Sequence, residues 1–147
     1  MGAQTGGGFS APKVGRGLAH GDFDRDGDND LLMTTNHGPA YLYRTDQTSG
    51  NRSIRFHLQG TKSNRDAIGA VVRVSANGIT QSQVVKGGSS YLSQSELALT
   101  FGLGKQDKID RVEIVWPSGR TEEFKSLSAG HGYQCIETKG ISQMDRY

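Results

Sequence analysis

The residues with the clearest capacity for chemistry are five aspartates in one short stretch, DFDRDGDND at residues 22–30. Two unit charges about 4 Å apart repel by ~4 kcal/mol at the effective dielectric of a protein surface. A compact loop with this composition is therefore unfavourable unless a cation lies among the carboxylates. The aspartates stand at every second position: Asp22, Asp24, Asp26, Asp28 and Asp30.

The spacing of these aspartates suits a hard divalent cation. Counted from Asp22 they occupy positions 1, 3, 5, 7 and 9, and Gly27 at position 6 permits a sharp turn. Calcium takes six to eight oxygen ligands at ~2.3–2.6 Å, which alternating ligands around a turn can supply. Magnesium is the less favoured ion, because it needs a smaller octahedron and retains water. We predict a backbone carbonyl ligand from Asp28 and side-chain ligands from Asp22, Asp24, Asp26 and Asp30; the alternative is a solvated acidic turn.

The pattern differs from that of an EF-hand. Position 12 is Met33, where an EF-hand carries a bidentate glutamate, and the flanking residues alternate as strands do. The missing ligand predicts a site completed by water or by another loop, with a dissociation constant of ~10⁻⁴–10⁻³ M. Because the cation would cancel the repulsion, binding and local folding should be coupled.

The hydropathy pattern predicts an all-β protein, an antiparallel β-sandwich or barrel-like domain preceded by a small unit of strands. In residues 54–60 the apolar Ile54, Phe56 and Leu58 alternate with Arg55 and His57, which places one face on a core and the other in water. A short helical turn is conceivable only in segments such as 89–97. Further strands are predicted near residues 16–23, 29–35, 40–45, 71–74, 80–85, 97–101, 111–116, 120–127 and 132–138.

Two turns are predicted from their residue types. Asn77-Gly78 favours a type I′ hairpin, since both residues tolerate a positive φ. The stretch WPSGR at 116–120 combines Pro117 with Gly119, which predicts a tight antiparallel turn. Trp116 is in phase with the apolar residues of its strand and is predicted to lie in the core.

The chain of 147 residues has the size of one domain with a small appendage. A polar stretch at 45–53 is the predicted boundary between the two. We predict a flexible glycine-rich lead at 1–14, a calcium-binding repeat at 15–49, the main β domain at 50–141 and a tail at 142–147.

Composition excludes several classes of function. The formal net charge is +2, but basic residues form no run and are not interleaved with exposed aromatics, so no nucleic-acid partner is expected. No segment approaches the ~20 apolar residues of a membrane span, so no membrane insertion is expected. Cys135 is the single cysteine, which rules out an intrachain disulfide.

Other candidate sites are weaker than the acidic loop. Asn64, Arg65, Asp66 and Tyr91 are possible ligand-facing residues, although Asn and Asp of this kind more often form a turn. No Gly-x-Ser-x-Gly elbow is present, and no histidine, serine and aspartate set is joined by local spacing. We therefore expect no catalytic residues and no enzymatic activity.

Several motifs carry a resemblance to known families. GDFDRDGDNDLL resembles the calcium loop of an FG-GAP or VCBS-type repeat, the blade unit of integrin-like β-propellers. The remainder resembles an ASPIC/UnbV domain. Its marks are GTKSNRDAIGAVVRV (60–74), GGSSYLSQSE (87–96), LTFGLG (99–104) and VEIVWPSG (112–119).

The resemblance implies the C-terminal part of a larger secreted, periplasmic or cell-surface protein of the cartilage acidic protein group. The expected function is a non-enzymatic, calcium-stabilised binding or adhesion module with a protein or glycan partner. The alternatives are a carbohydrate-binding module and an enzyme or accessory protein of natural-product biosynthesis. A single blade cannot bury its faces alone, so its strands should pack on the main domain or on a second copy, which would give a homo-oligomer.

Overall fold

The computed structural model describes residues 8, 11–46 and 49–145. Within these residues the chain forms eleven β-strands in three separate sheets. This confirms the predicted all-β class: two of the sheets form a sandwich, and neither closes into a barrel. In the described ranges there is no helix with the length and apolar character needed to cross a bilayer.

The N-terminal sheet is antiparallel and has the order β1-β2-β3. Its strands are β1 (Gly15–Gly21), β2 (Asp30–Thr35) and β3 (Tyr41–Tyr43). The acidic loop, residues 22–30, connects β1 to β2, as predicted. On the described part of the lead, the Lys13 ammonium lies 5.0 Å from the centre of the Tyr41 ring.

The sandwich contains the other two sheets. One has the order β11-β10-β4-β7 and consists of β4 (Arg52–Gln59), β7 (Leu99–Gly104), β10 (His131–Ile136) and β11 (Gly140–Gln143). Its central pair, β4 and β10, is parallel. The other sheet is antiparallel, has the order β6-β5-β8-β9, and consists of β5 (Val71–Ala76), β6 (Ile79–Val84), β8 (Lys108–Val115) and β9 (Thr121–Ser128).

The core lies between the two sheets of the sandwich. Phe56 is fully buried, and its ring packs edge-on against Phe101 at 5.9 Å and stacks with Tyr133 at 6.0 Å between ring centres. Trp116 is buried as predicted. Two glutamines also join the sheets: the side-chain amides of Gln81 and Gln83 on β6 donate over 2.7 Å to the carbonyls of Gly102 and Thr100 on the edge strand β7.

Both predicted turns are confirmed. Asn77 and Gly78 have φ values of 49° and 76°, as a type I′ turn requires, and they join β5 to β6. At the other turn the Trp116 N–H donates to the Arg120 carbonyl over 2.8 Å, which closes the β8–β9 hairpin.

Two local features differ from or refine the expectations. Strand β11 falls across the predicted start of the tail at residue 142; its four residues contain one large apolar side chain, too few to show a period. In the segment 89–97, Ser90 and Ser93 form a bridge around a tight turn, where Leu92 has a φ of 46°.

Candidate functional site

The acidic loop is shaped by the first of its aspartates. The backbone N–H groups of Asp26 and Gly27 each donate to the Asp22 carboxylate over 3.1 Å. The turn requires left-handed backbone at Arg25 (φ 62°) and at Gly27 (φ 94°), which glycine adopts at little cost. Asp22 therefore orders the loop in addition to presenting oxygens.

Asp30 closes the loop from its other end. Asp30 is only 2% exposed. Each of its carboxylate oxygens accepts a backbone hydrogen bond, one from Phe23 over 2.9 Å and one from Thr45 over 2.8 Å. The Thr45 hydroxyl also donates to the Asn29 carbonyl over 2.8 Å. The segment after β3 is thereby attached to the acidic loop.

Carboxylate oxygens converge in two overlapping groups. One oxygen from each of Asp22, Asp24 and Asp30 lies within 4.8 Å of the others, and so do oxygens from Asp24, Asp26 and Asp46. Two ligands on opposite sides of a calcium ion are ~5 Å apart, given its ligand distances of ~2.3–2.6 Å. The donor chemistry and the spacing of these oxygens therefore suit calcium, and metal binding stays a prediction.

Two members of the loop region differ from the simple pattern. The Asp28 carboxylate belongs to neither group. The backbone N–H of Asp28 donates to the Asp26 carboxylate over 2.9 Å. Asp46, which the sequence pattern did not identify, approaches from beyond β3. It lies outside the regular spacing, in the polar stretch interpreted as a domain boundary, so only the return of the chain after β3 brings it to the site.

The electrostatics of the loop reflect the crowding of negative charge. Loss of hydration raises the pKa of Asp24, and the neighbouring carboxylates of Asp26, Asp30 and Asp22 raise it further, whereas Arg44 lowers it. Arg44 lies 3.7 Å from Asp24 and 2.8 Å from Asp46. One exposed guanidinium thus only partly offsets the repulsion among the carboxylates.

The environment of Arg55 on β4 differs from the prediction. The alternation placed it in water, but the residue is 4% exposed. Its guanidinium pairs with Asp22 at 3.2 Å and with Glu96, and it donates to the Thr100 hydroxyl over 3.4 Å. The prediction was wrong because this face of β4 is covered by the acidic loop and by the residues before β7.

His57 belongs to the same junction. Burial lowers its pKa, the Arg55 charge lowers it further, and Asp22 partly opposes the shift. The Arg55 Nε–H donates to His57 Nε2 over 3.3 Å, which requires that nitrogen to be unprotonated. His57 is therefore a neutral acceptor that helps to fix the guanidinium.

The N-terminal sheet contacts residues 90–96, which connect β6 to β7 of the sandwich and are called here the bridging segment. The backbone N–H groups of Leu18 and His20 on β1 donate over 3.1 Å to the hydroxyls of Ser90 and Ser95, and the Glu96 N–H donates to the His20 carbonyl over 3.1 Å. The approach is close: a Cβ atom at Gly17 would lie 2.3 Å from the Ser93 hydroxyl oxygen. Packing of the predicted blade on its own chain follows from these contacts.

The weaker candidates lie in two other segments, the turn after β4 and the bridging segment. The Asn64 side chain donates to the Ile68 carbonyl over 2.9 Å and accepts from the Ile68 N–H over 2.8 Å, so it stabilises its own turn. Arg65 and Asp66 are exposed. Tyr91 is 65% exposed at the tip of the bridging segment. Ligand binding by these four residues stays a prediction.

Glu137 is a buried charged residue that the sequence analysis did not identify. It is fully buried, and three backbone N–H groups donate to its Oε2 over 2.7–2.8 Å while two hydroxyls donate to its Oε1. The alternation offered a signal, because Glu137 is in phase with the buried Tyr133 and Cys135. The donors are the backbones of Thr61, Lys62 and Ser63 and the side chains of Ser63 and Ser118.

These hydrogen bonds set the charge of Glu137. Burial raises the pKa of its carboxyl, but donation from Ser118 and from the backbone of Ser63, Lys62 and Thr61 outweighs that effect and lowers the pKa from 4.5 to about 2. The carboxylate is charged at neutral pH and holds the 61–63 turn against the β8–β9 turn. Its role is therefore structural.

Stability should fall in acid because of Glu137. Its pKa is lower in the folded than in the unfolded chain, so its stabilisation is present above about pH 4.5 and is lost as the pH falls towards about 2. We expect the urea midpoint, followed by Trp116 fluorescence, to drop more steeply over this window in the wild type than in Glu137→Gln. Equal pH dependence of the two proteins would contradict the prediction.

A thiolate nucleophile is not supported by the site. Burial raises the pKa of Cys135 to about 12, and Glu122 adds to the rise. The thiol is thus neutral at physiological pH and inaccessible, since the residue is fully buried.

Fold and site together define an all-β module in which an acidic loop is docked against a β-sandwich. The chain belongs to the ASPIC and UnbV family, whose sequence pattern matches residues 60–142. It is similar to cartilage acidic protein 1 of Homo sapiens, with 35% identity over 105 residues that cover 67% of this chain and 15% of that protein.

Two further relatives have the same name. Cartilage acidic protein 1 of Xenopus tropicalis is 35% identical over 112 residues, covering 72% of this chain and 17% of the relative. The protein of Mus musculus is 34% identical over 105 residues, covering 67% and 16%. The chain thus spans about a sixth of the length of these curated relatives. The FG-GAP or VCBS identity of residues 15–49 stays a prediction.

Proposed function

We propose that this chain is a non-enzymatic, calcium-stabilised binding or adhesion module of a secreted or cell-surface protein. The observation that carries the proposal is the convergence of Asp22, Asp24 and Asp30, whose oxygens lie within 4.8 Å of one another. Carboxylates this close repel strongly, and a divalent cation would remove that cost. The name of the relatives associates them with cartilage, which supports a location outside the cell.

The proposed role of the ion is structural. Asp22 contacts Arg55 on β4, and the Ser53 hydroxyl donates to the Gly27 carbonyl over 3.2 Å. An ion in the acidic loop would therefore fix the N-terminal sheet relative to the sandwich as well as ordering the loop. A fixed arrangement of these surfaces is what a binding or adhesion module needs, because ordering on binding reduces affinity.

A calorimetric calcium titration tests this function. We expect the wild type to bind with a dissociation constant of ~10⁻⁴–10⁻³ M. Asp24→Asn should weaken binding at least tenfold, because Asp24 belongs to both groups of converging oxygens. Glu123→Gln is the control: it removes one negative charge from the exposed surface of β9, outside every candidate site, and should leave the affinity unchanged. Equal affinities for all three proteins, or no calcium binding by the wild type, would contradict the proposal.

A further inference from the structure

The junction around Arg55 has an unusual distribution of charge and hydrogen bonds. One buried guanidinium contacts two carboxylates, Asp22 of the acidic loop and Glu96 of the bridging segment. Glu96 uses only one oxygen for this pair. Its Oε1 is buried and accepts no hydrogen bond from any described residue.

Arg55 poses an electrostatic problem for a cation in the loop. Its Nη1 lies 3.2 Å from Asp22 Oδ2, so a full positive charge lies next to one of the converging carboxylates. A unit charge a few ångströms beyond a ligand opposes binding of a divalent ion, and the low exposure of Arg55 limits screening by water. A second carboxylate paired with the same guanidinium would reduce this opposition.

Glu96 is placed where that compensation is needed. It pairs with Nη2 of Arg55, whereas Asp22 pairs with Nη1, so one guanidinium is shared by the two carboxylates. The Glu96 side chain is 22% exposed, but its Oε1 is buried without a hydrogen-bond donor among the described residues, which is costly for folding. Balancing the Arg55 charge would offset that cost.

We propose that Glu96 acts on the cation site through Arg55: the Arg55 charge beside Asp22 opposes cation binding, and Glu96 cancels that charge. This inference rests on the proposed function, since it assigns the surroundings of the same calcium site. The acidic loop then depends for its affinity on a residue 66 positions beyond its end, on the bridging segment.

Calcium titration of charge variants of the full chain tests the inference. Glu96→Gln leaves Arg55 uncompensated and should weaken calcium binding about tenfold. Arg55→Met leaves an extra negative charge near the loop and should tighten binding about threefold. The double variant restores charge balance and should bind within about threefold of the wild type. Glu123→Gln, an exposed carboxylate on β9, is the control and should not change the affinity.

The calcium affinity is expected to fall in Glu96→Gln and to rise in Arg55→Met, and these opposite changes distinguish an electrostatic role from a merely structural one. If both residues only supported the fold, both single variants would weaken binding, and that result would overturn the inference, as would an unchanged affinity in Glu96→Gln. Trp116 emission checks that each variant is folded; if Glu96→Gln does not fold, the direction of the change in Arg55→Met decides. No calcium binding by the wild type overturns the proposed function and this inference together, whereas wild-type binding with failed signs overturns this inference alone.

Discussion

Replacing Glu137 with glutamine should lower the free energy of unfolding by about 3–5 kcal/mol, because more than one buried hydrogen-bond donor would lose its acceptor. The carboxylate accepts five hydrogen bonds and is fully buried. The glutamine amide has one oxygen and one NH₂ group. Its NH₂ group would therefore face N–H or hydroxyl donors and could not accept hydrogen bonds from them. Buried donors left without acceptors cost about 1–3 kcal/mol each.

Urea unfolding at pH 7, followed by Trp116 fluorescence, measures this loss. Trp116 is the only tryptophan and is buried in the sandwich, so its emission reports on the sheets that Glu137 joins. Glu123→Gln is the matched control, since Glu123 pairs with Arg111 and Lys125 at the surface and should contribute no more than ~1 kcal/mol. A loss in Glu137→Gln no larger than in this control would refute the structural role.

The sequence predicted those parts of the fold that depend on neighbouring residues. The I′ turn at Asn77-Gly78 and the strand that became β4 were found because turn residues and alternation are local signals. The parallel pairing of β4 with β10 joins segments about seventy residues apart. No local pattern encodes that pairing, which depends on how the whole chain fits around its core.

Arg55 shows why the site was only partly predictable. Alternation correctly placed Ile54 and Phe56 in the core and so assigned Arg55 to the opposite face. It could not indicate that this opposite face is also covered. Only the packing of the acidic loop and Glu96 on β4 makes Arg55 a buried partner of the loop. The same reason hid Asp46, whose position depends on the path of the chain after β3.

The aspartates of the loop, alike in the sequence pattern, have unlike environments in the structure. The Asp22 side chain is 1% exposed and paired with Arg55, and Asp30 accepts two backbone hydrogen bonds. Asp24 and Asp26 are exposed, and neighbouring charges raise the pKa of Asp24. Asp22 and Asp30 thus contribute to the fold without any ion, whereas Asp24 adds mainly repulsion in the absence of a cation.

Asp22→Ala should therefore lower the free energy of unfolding by about 3–5 kcal/mol even with a chelator present. The change leaves the Arg55 guanidinium buried with half of its ionic partners and leaves the N–H groups of Asp26 and Gly27 without their acceptor. Asp24→Ala, the matched control, removes a repulsive charge and should leave stability in chelator unchanged or slightly higher. Urea unfolding of both variants in chelator measures the difference. Equal losses of unfolding free energy in the two variants would mean that Asp22 contributes no more to stability than Asp24 does. Asp22 would then not connect the loop to the sandwich.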